Sequence, residues 1–415
     1  GAFPSTKIII GGIEASMRRT VYYDYWQDKI RPSILAESKA DYLIYGMGEK
    51  TILELLEEIS SSNESFEIRG TARLAGAKES QNLDKKKYRE LPSFSEIQSR
   101  PEKLLEATMI LEEESNPYNS RALLQKHKER ALIINPPQFP LTQDELDLIY
   151  DLPFSYAAHP KYKKPIPAFE MIKNSVTALR GCPGGCSFCS LALHQGKFIV
   201  SRSEKSILSE IKKISSKKYF KGTISDVGGP TANCYGSSQT NNDACKKCRK
   251  VSCFFPEICP QFRIDDAKFA KLLRDASSLP AVKNVFISSG IRTDLALRQK
   301  QTTRKIIMHH VSGHLKIAPE HLHEEVLRLG LREIDEHQVG RVHDDDHRPE
   351  PPAKSLPRNR NAPQNSSRQQ SNDAHRSVGN TDLARRQSQA TDLPRIQQEG
   401  GNQFDELGLG EAIEQ

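Results

Sequence analysis

The sequence predicts an α/β protein organised around parallel strands, and three observations predict it. Short apolar runs end in glycine-rich or polar loops and lead into amphipathic helices, a βαβα rhythm that favours parallel pairing. Three cysteines, Cys182, Cys186 and Cys189, fall within eight residues at the end of one such run. The 415 residues give room for two or three domains. Only 36% of them are hydrophobic and the mean hydropathy is −0.61, so part of the chain is expected not to pack.

In chain order, "KIII" (7–10) stops at Gly11-Gly12, and "DYLIYG" (41–46) leads into "GMGE". "TILELLEEI" (51–59) then sets apolar residues on one helical face. These read as the edge of a Rossmann-like sheet, although Gly-Gly after a strand equally serves plain turn geometry. The aromatic "YYDYW" (22–26) is expected in core or interdomain packing. "RALLQKHKER" (121–130) looks helical. "ALIIN" (131–135) reads as a strand, with a proline stop and a capped helix after it. The proline-rich "HPKYKKPIPAFEMIK" (159–173) is expected to run extended, because residues before proline avoid the helical region.

The strongest pattern lies between 174 and 321. "SVTAL" (175–179), "TISDVGGP" (223–230), "NVFISSG" (284–290) and "GHLKIAPEH" (313–321) are strand-to-loop units. "SRSEKSILSEIKKI" (201–214), N-capped by Ser203, and "DAKFAKLLRDA" (266–276) are helices between them. In open sheets and barrels of this kind, sites collect at the C-terminal ends of the strands. We expect four segments: a partial Rossmann-like domain at 1–80, a connecting region at 81–170, a core at 171–330 with a Cys-rich insertion at 234–262, and a disordered low-complexity tail at 331–415.

Residues 341–415 hold no Cys, Trp or Tyr and one Phe, which cannot bury enough apolar area to offset chain entropy. Basic usage changes there from 31 Lys and 19 Arg to 1 Lys and 9 Arg, a shift that suggests an out-of-frame or foreign tail. A natural disordered tail is the alternative. The chain opens on Gly1 directly before an apparent strand, so further sequence is expected upstream.

The net charge of +7 is a mild bias and leaves nucleic acid an open partner. No run approaches the roughly 18 apolar residues of a membrane helix, and no signal peptide is expected from the opening residues. All eight cysteines lie between 182 and 259. Thiols clustered this way in a large polar chain favour metal or iron–sulfur ligation in a reducing compartment, hence the cytoplasm.

Three thiolates can hold three irons of a four-iron cluster and leave the fourth iron open, as a catalytic cluster requires. Gly184 and Gly185 allow the tight wrap and aim backbone N–H groups inward. Zinc with a fourth ligand such as His194 is the alternative, but zinc sites favour paired Cys-x2-Cys units and the first gap here is three. "CKKCRKVSCFFPEIC" places Cys245, Cys248, Cys253 and Cys259 in a second set. That set reads as an auxiliary Fe–S cluster or a structural zinc, which the spacing does not separate. Cys234 reads as a spare thiol, and His309-His310 as a weak metal candidate.

Cys182-x3-Cys186-x-Phe188-Cys189 at a strand end resembles the signature of radical S-adenosylmethionine (SAM) enzymes. With "IIIGGIEASMRRTVYYDYWQDKIRPSIL", "LPFSYAAHPKY", "ISDVGGPTANCYG" and "HLKIAPEH", the chain over roughly 1–328 is similar to the YgiQ-type members of that superfamily. The resemblance implies a partial (β/α)6 barrel, incomplete here at its C-terminal end, preceded by a fragment of a Rossmann-like, cobalamin-binding-like domain. It also implies a [4Fe–4S] cluster at Cys182, Cys186 and Cys189, whose open iron chelates SAM. One electron from a flavodoxin- or ferredoxin-like donor then cleaves SAM to a 5′-deoxyadenosyl radical, while substrate and any use of cobalamin stay unassigned. The same resemblance places Phe188, Gly228, Gly229, Ser288, Ser289, Arg292 and Ala318 around SAM. Pro230 replaces the usual Glu of the glycine motif, so backbone carbonyls alone can meet the SAM amino group there. Asp226 and Glu320, at strand ends, are candidate acid/base groups, with capping or ion pairing as the alternative. An inactive fragment, or an Fe–S or zinc binding or electron-transfer module, are the competing readings.

Overall fold

The computed structural model describes residues 6–61, 67–240 and 242–313. The expected fourth strand at 313–321, with Ala318 and Glu320, and the 331–415 tail lie outside the described residues, save for Gly313.

A six-stranded mixed sheet runs in the order Ile9–Ile10, Tyr42–Ile44, Thr71–Ala75, Arg130–Ile134, Ala122–His127, Tyr88–Leu91. Ile9–Ile10 pairs parallel with Tyr42–Ile44, as the glycine-ended runs predict. The next three pairings are antiparallel, and Tyr88–Leu91 returns parallel to Ala122–His127. The sheet therefore crosses the expected boundary at 80/81 and is not an all-parallel Rossmann edge. Residues 121–130, expected helical, form a strand and a tight turn at Lys128 (φ 58°) instead. Leu123, Leu124, Gln125 and His127 are all buried, so burial on both faces of the sheet overrides the helix-forming composition. Leu43, Leu132, Ile134 and Ile97 pack one side of it.

Two further expectations fail for local reasons. Pro167 begins the helix Pro167–Ile172 inside the segment expected to be extended, because proline at the first helical position has no N–H to satisfy. The "YYDYW" aromatics are not core. Tyr22–Asp24 and Lys29–Arg31 form a hairpin whose tip leaves Tyr25 77% and Trp26 86% exposed.

The second body of the fold holds three parallel strand segments among the described residues, the middle one interrupted at Ser225. Asp226–Gly228 pairs with Ser175–Thr177, and Thr223–Ile224 pairs with Asn284–Val285 on the other side. The segment 223–228 is thus central. Helices Glu204–Ser215 and Lys268–Ser277 bury Ile207, Ile211, Phe269, Leu272 and Leu273 against the strands. Each such apolar side chain contributes about 1.5–3 kcal/mol. Ser203 caps the first helix as expected, its Oγ accepting from the Ser206 N–H at 3.1 Å. The fully buried Arg202 pairs with Glu210 and lies 3.9 Å from the Tyr150 ring centroid. Whether further strands complete a barrel lies beyond the described residues, none of whose helices is long and apolar enough to cross a membrane.

Several contacts fasten the sheet unit to the end of the core that carries the cysteines. Arg180 pairs with Glu49 at 2.6 Å, and His194 Nδ1 meets Ser16 Oγ at 3.0 Å. Arg249 pairs with Glu114 at 2.9 Å, and Asn116 donates to the Cys245 carbonyl at 3.1 Å.

Candidate functional site

The strand Ser175–Thr177 and the two-residue strand Leu179–Arg180 deliver the chain to Gly181. Gly181 (φ 87°) packs so closely on the Phe198 carbonyl that a side chain has no room. The loop then folds over its own glycines. Cys182 N–H donates to the Gly196 carbonyl at 3.0 Å, and Cys189 N–H to the Cys186 carbonyl at 3.1 Å. A methyl group on Gly184 would stand 3.4 Å from Cys182 Sγ, 3.7 Å from Cys186 Sγ and 3.2 Å from an Arg292 guanidinium nitrogen. Two of the three sulfurs and one cation therefore surround one small residue.

Burial pushes the Cys182 thiol up, with Cys186 and Cys189 adding to the rise; the Gly184 N–H and Arg292 pull it down. Burial alone would lower Arg292, yet Asp294 and the Cys186 and Cys182 thiols outweigh it and hold the cation more firmly protonated. Arg292 Nη2 meets Asp294 at 2.6 Å, and its guanidinium lies 4.4 Å from the Phe254 ring centroid. Asn233 fixes the Arg292 backbone from both sides, at 2.9 and 3.0 Å. The sequence reading missed Asn233; its only signal is its position three residues after Gly228-Gly229-Pro230.

Gly228 and Gly229 end the central strand as expected. A methyl group on Gly228 would be 2.5 Å from Ser289 Oγ, and one on Gly229 would be 2.6 Å from the Leu179 carbonyl oxygen. Ser288 and Ser289 begin the loop after the third strand, and Asp226 holds that loop. Its carboxylate accepts from the N–H groups of Ser288 at 2.8 Å and Ser289 at 2.9 Å, and from the Ser289 hydroxyl. Phe188 is 57% exposed at the surface of the cysteine loop. Cys234 is buried near Cys182, and burial raises its thiol. His194 points to Ser16 and His310 to the Val285 carbonyl at 2.8 Å, so both imidazoles have structural partners.

The second set, Cys245 to Cys259, packs directly on the first loop. Cys253 N–H donates to the Pro183 carbonyl at 2.9 Å, and Gly185 (φ 64°) lies against the Val251–Ser252 backbone. No disulfide joins any of the eight cysteines. Among the described residues, no three His, Cys, Asp or Glu side chains converge on one point closely enough to hold a single ion. A four-iron cluster gives each thiolate its own iron, so its ligands stand at separate corners rather than at one point. The first loop, with three thiols on a glycine turn beside the half-buried Arg292 cation, fits a cluster of that kind.

Residues 1–175 match the family model described as "Radical SAM N-terminal". The chain is 45% identical over 332 residues to the UPF0313 protein GSU2873 of Geobacter sulfurreducens, covering 79% of this chain and 54% of that protein. It is 42% identical over 327 residues to a UPF0313 protein of Methanocella arvoryzae, covering 78% and 54%. The chain thus spans about half the length of the curated relatives it matches. Among solved structures, it overlays on the radical S-adenosylmethionine methyltransferase TsrM of Kitasatospora setae, with tryptophan substrate and SAM analog bound. That match has a TM-score of 0.30 and 13% identity, over 68% of this chain and 36% of that one. The family-model match over residues 1–175, which lies upstream of the three-cysteine loop, and the UPF0313 relatives together support membership of the radical SAM superfamily.

Proposed function

We propose that this chain carries the cluster-binding part of a radical SAM enzyme. Cys182, Cys186 and Cys189 would hold a [4Fe–4S] cluster, and one iron without a protein thiolate would be left for SAM. The observation that carries the reading is the grouping of Cys182 Sγ, Cys186 Sγ and the Arg292 guanidinium around Gly184. When bound, the cluster supplies the electron that cleaves SAM reductively and generates a hydrogen-abstracting radical.

The chain's own residues have binding and positioning roles. Arg292 offsets thiolate charge in a low-dielectric setting and is placed to meet an anionic group such as the SAM carboxylate. Gly228 and Gly229 bring bare backbone to the strand end, where their carbonyls can accept from an amino group. Asp226 fixes Ser288 and Ser289 beside them. Among the described residues its carboxylate contacts go to that loop, so we assign it as a positioning residue rather than the acid/base group. The substrate is unassigned, and the reductant is of the flavodoxin or ferredoxin class, as the family uses. Placement in the cytoplasm follows from the need to keep such a cluster reduced.

The test is anaerobic reconstitution with iron, sulfide, dithionite and SAM, followed by measurement of 5′-deoxyadenosine. The reading expects formation that falls to background in Cys186→Ala. A bound cluster that never cleaves SAM would leave an electron-transfer module as the better description.

A further inference from the structure

Cys245, Cys248, Cys253 and Cys259 take no part in the three-thiolate loop. They span an irregular stretch: after the short helix Asp243–Lys247 no helix or strand forms until Phe262. Such a stretch has no ladder to hold it, yet its backbone is fixed from outside at several points. Asn116 donates to the carbonyls of Cys245 at 3.1 Å, Lys246 at 3.3 Å and Cys248 at 2.8 Å. Asn119 adds a bond to the Cys248 carbonyl at 3.2 Å. Glu114, whose side chain is 1% exposed, anchors Arg249.

Within the stretch three of the sulfurs have polar neighbours. Lys250 N–H lies 3.4 Å from Cys248 Sγ, the pattern of an N–H two residues on that steadies a Cys-x2-Cys turn. Gln239 Nε2 approaches Cys253 Sγ at 3.8 Å, and Thr240 Oγ1 lies 3.6 Å from Cys245 Sγ. Cys259 N–H donates to the Cys253 carbonyl at 2.8 Å. Cys253 has Cys248 and Cys259 as electrostatic neighbours, with the Lys197 ammonium offsetting them. Donor hydrogens on the Cys248 and Cys253 sulfurs, a hydroxyl against the Cys245 sulfur and a cation beside Cys253 form the surroundings of thiolate ligands.

We propose that Cys245, Cys248, Cys253 and Cys259 form a second, coordinatively full thiolate metal centre, for a zinc ion or an iron–sulfur cluster. This centre fixes the 251–253 backbone against the loop of Cys182, Cys186 and Cys189. Metal binding draws the four sulfurs together from where they stand, so site formation and loop closure are one event. The Cys253–Pro183 bond and the Gly185–Val251 contact transmit that closure to the first loop. The proposal does not depend on radical chemistry.

The test is metal analysis of the full chain carrying Cys182→Ala, Cys186→Ala and Cys189→Ala together, purified anaerobically. Near-stoichiometric metal is expected to persist and to be lost on adding Cys245→Ala and Cys253→Ala. Zinc alone identifies a single ion; iron with acid-labile sulfide identifies a cluster. A triple variant free of both metals overturns the proposal if it is folded. Because that variant can misfold, the unaltered chain is also alkylated with iodoacetamide before and after chelator treatment, and labelling is mapped by mass spectrometry. Cys245, Cys248, Cys253 and Cys259 should gain labelling together, severalfold, on stripping. Labelling of these four that ignores stripping overturns the proposal whatever the first loop binds.

Discussion

The Asp226 carboxylate, at the start of the strand Asp226–Gly228, is joined to the Ser289 backbone in the loop after Asn284–Val285: Asp226 Oδ1 accepts from the Ser289 N–H at 2.9 Å. The central strand thereby sets the position of the loop that follows its neighbour. Asp226→Ala leaves those N–H groups without an acceptor, at a cost of about 1–3 kcal/mol. It should lower thermal stability and weaken SAM binding together. Asp226→Asn keeps an acceptor oxygen and should restore both. If Asp226→Asn instead binds SAM normally and loses all turnover, Asp226 is an acid/base group and the positioning role is wrong.

Gly229 is predicted to be intolerant of any side chain. A Cβ there would sit 2.6 Å from the Leu179 carbonyl oxygen, and backbone cannot yield as a side-chain end can. Gly229→Ala should cost about 1–3 kcal/mol in urea unfolding. Gly76→Ala, where nothing lies within 4 Å, should change stability by roughly 0.5 kcal/mol or less. Equal effects of the two would remove the close-approach argument for the glycine pair.

His127 gives the sheet unit a pH dependence. Burial, with Arg130 nearby, holds its imidazole down at about 4, against 6.5 for a free side chain. Between those values the unfolded chain binds more protons than the folded one, so stability rises with pH across that window. The contribution is complete above 6.5 and is lost as pH falls toward 4. It amounts to about 3 kcal/mol at most. The slope of unfolding free energy between pH 4.5 and 6.5 should flatten in His127→Gln. An unchanged slope would mean His127 does not stay neutral in the folded chain.

Asn116 is predicted to hold the second cysteine segment to the sheet unit. Asn116→Ala removes an amide group whose two N–H donors are shared among three carbonyls of that segment, a loss of about 1–3 kcal/mol net. Amide hydrogen exchange should quicken within 245–259 more than in the sheet strands. Uniform exchange rates in wild type and variant would show that the segment is held by other contacts.

The cysteine loop was legible because its chemistry is local: three thiols, two glycines and a strand end all lie in one short stretch. Helix Glu204–Ser215 was legible for a similar reason, since its cap and apolar face are encoded within it. Strand Ala122–His127 was not, because its Leu, Gln, Lys and His residues suit a helix and only the neighbouring strands make it extended. The exposure of the hairpin aromatics Tyr25 and Trp26 is not legible in the sequence, because aromatic content alone does not encode burial. The roles of Asn116, Asn233 and Asp226 depend on partners 59 to 132 residues away in sequence, a relationship no local pattern carries.

The central claim is that Cys182, Cys186 and Cys189 hold a cluster with one iron open to SAM. Electron paramagnetic resonance of the reconstituted, dithionite-reduced chain, recorded with and without SAM, tests it most directly. The account predicts a cluster signal that shifts on adding SAM and whose SAM-sensitive part disappears in Cys182→Ala. A signal that ignores SAM and survives Cys182→Ala unchanged would contradict it.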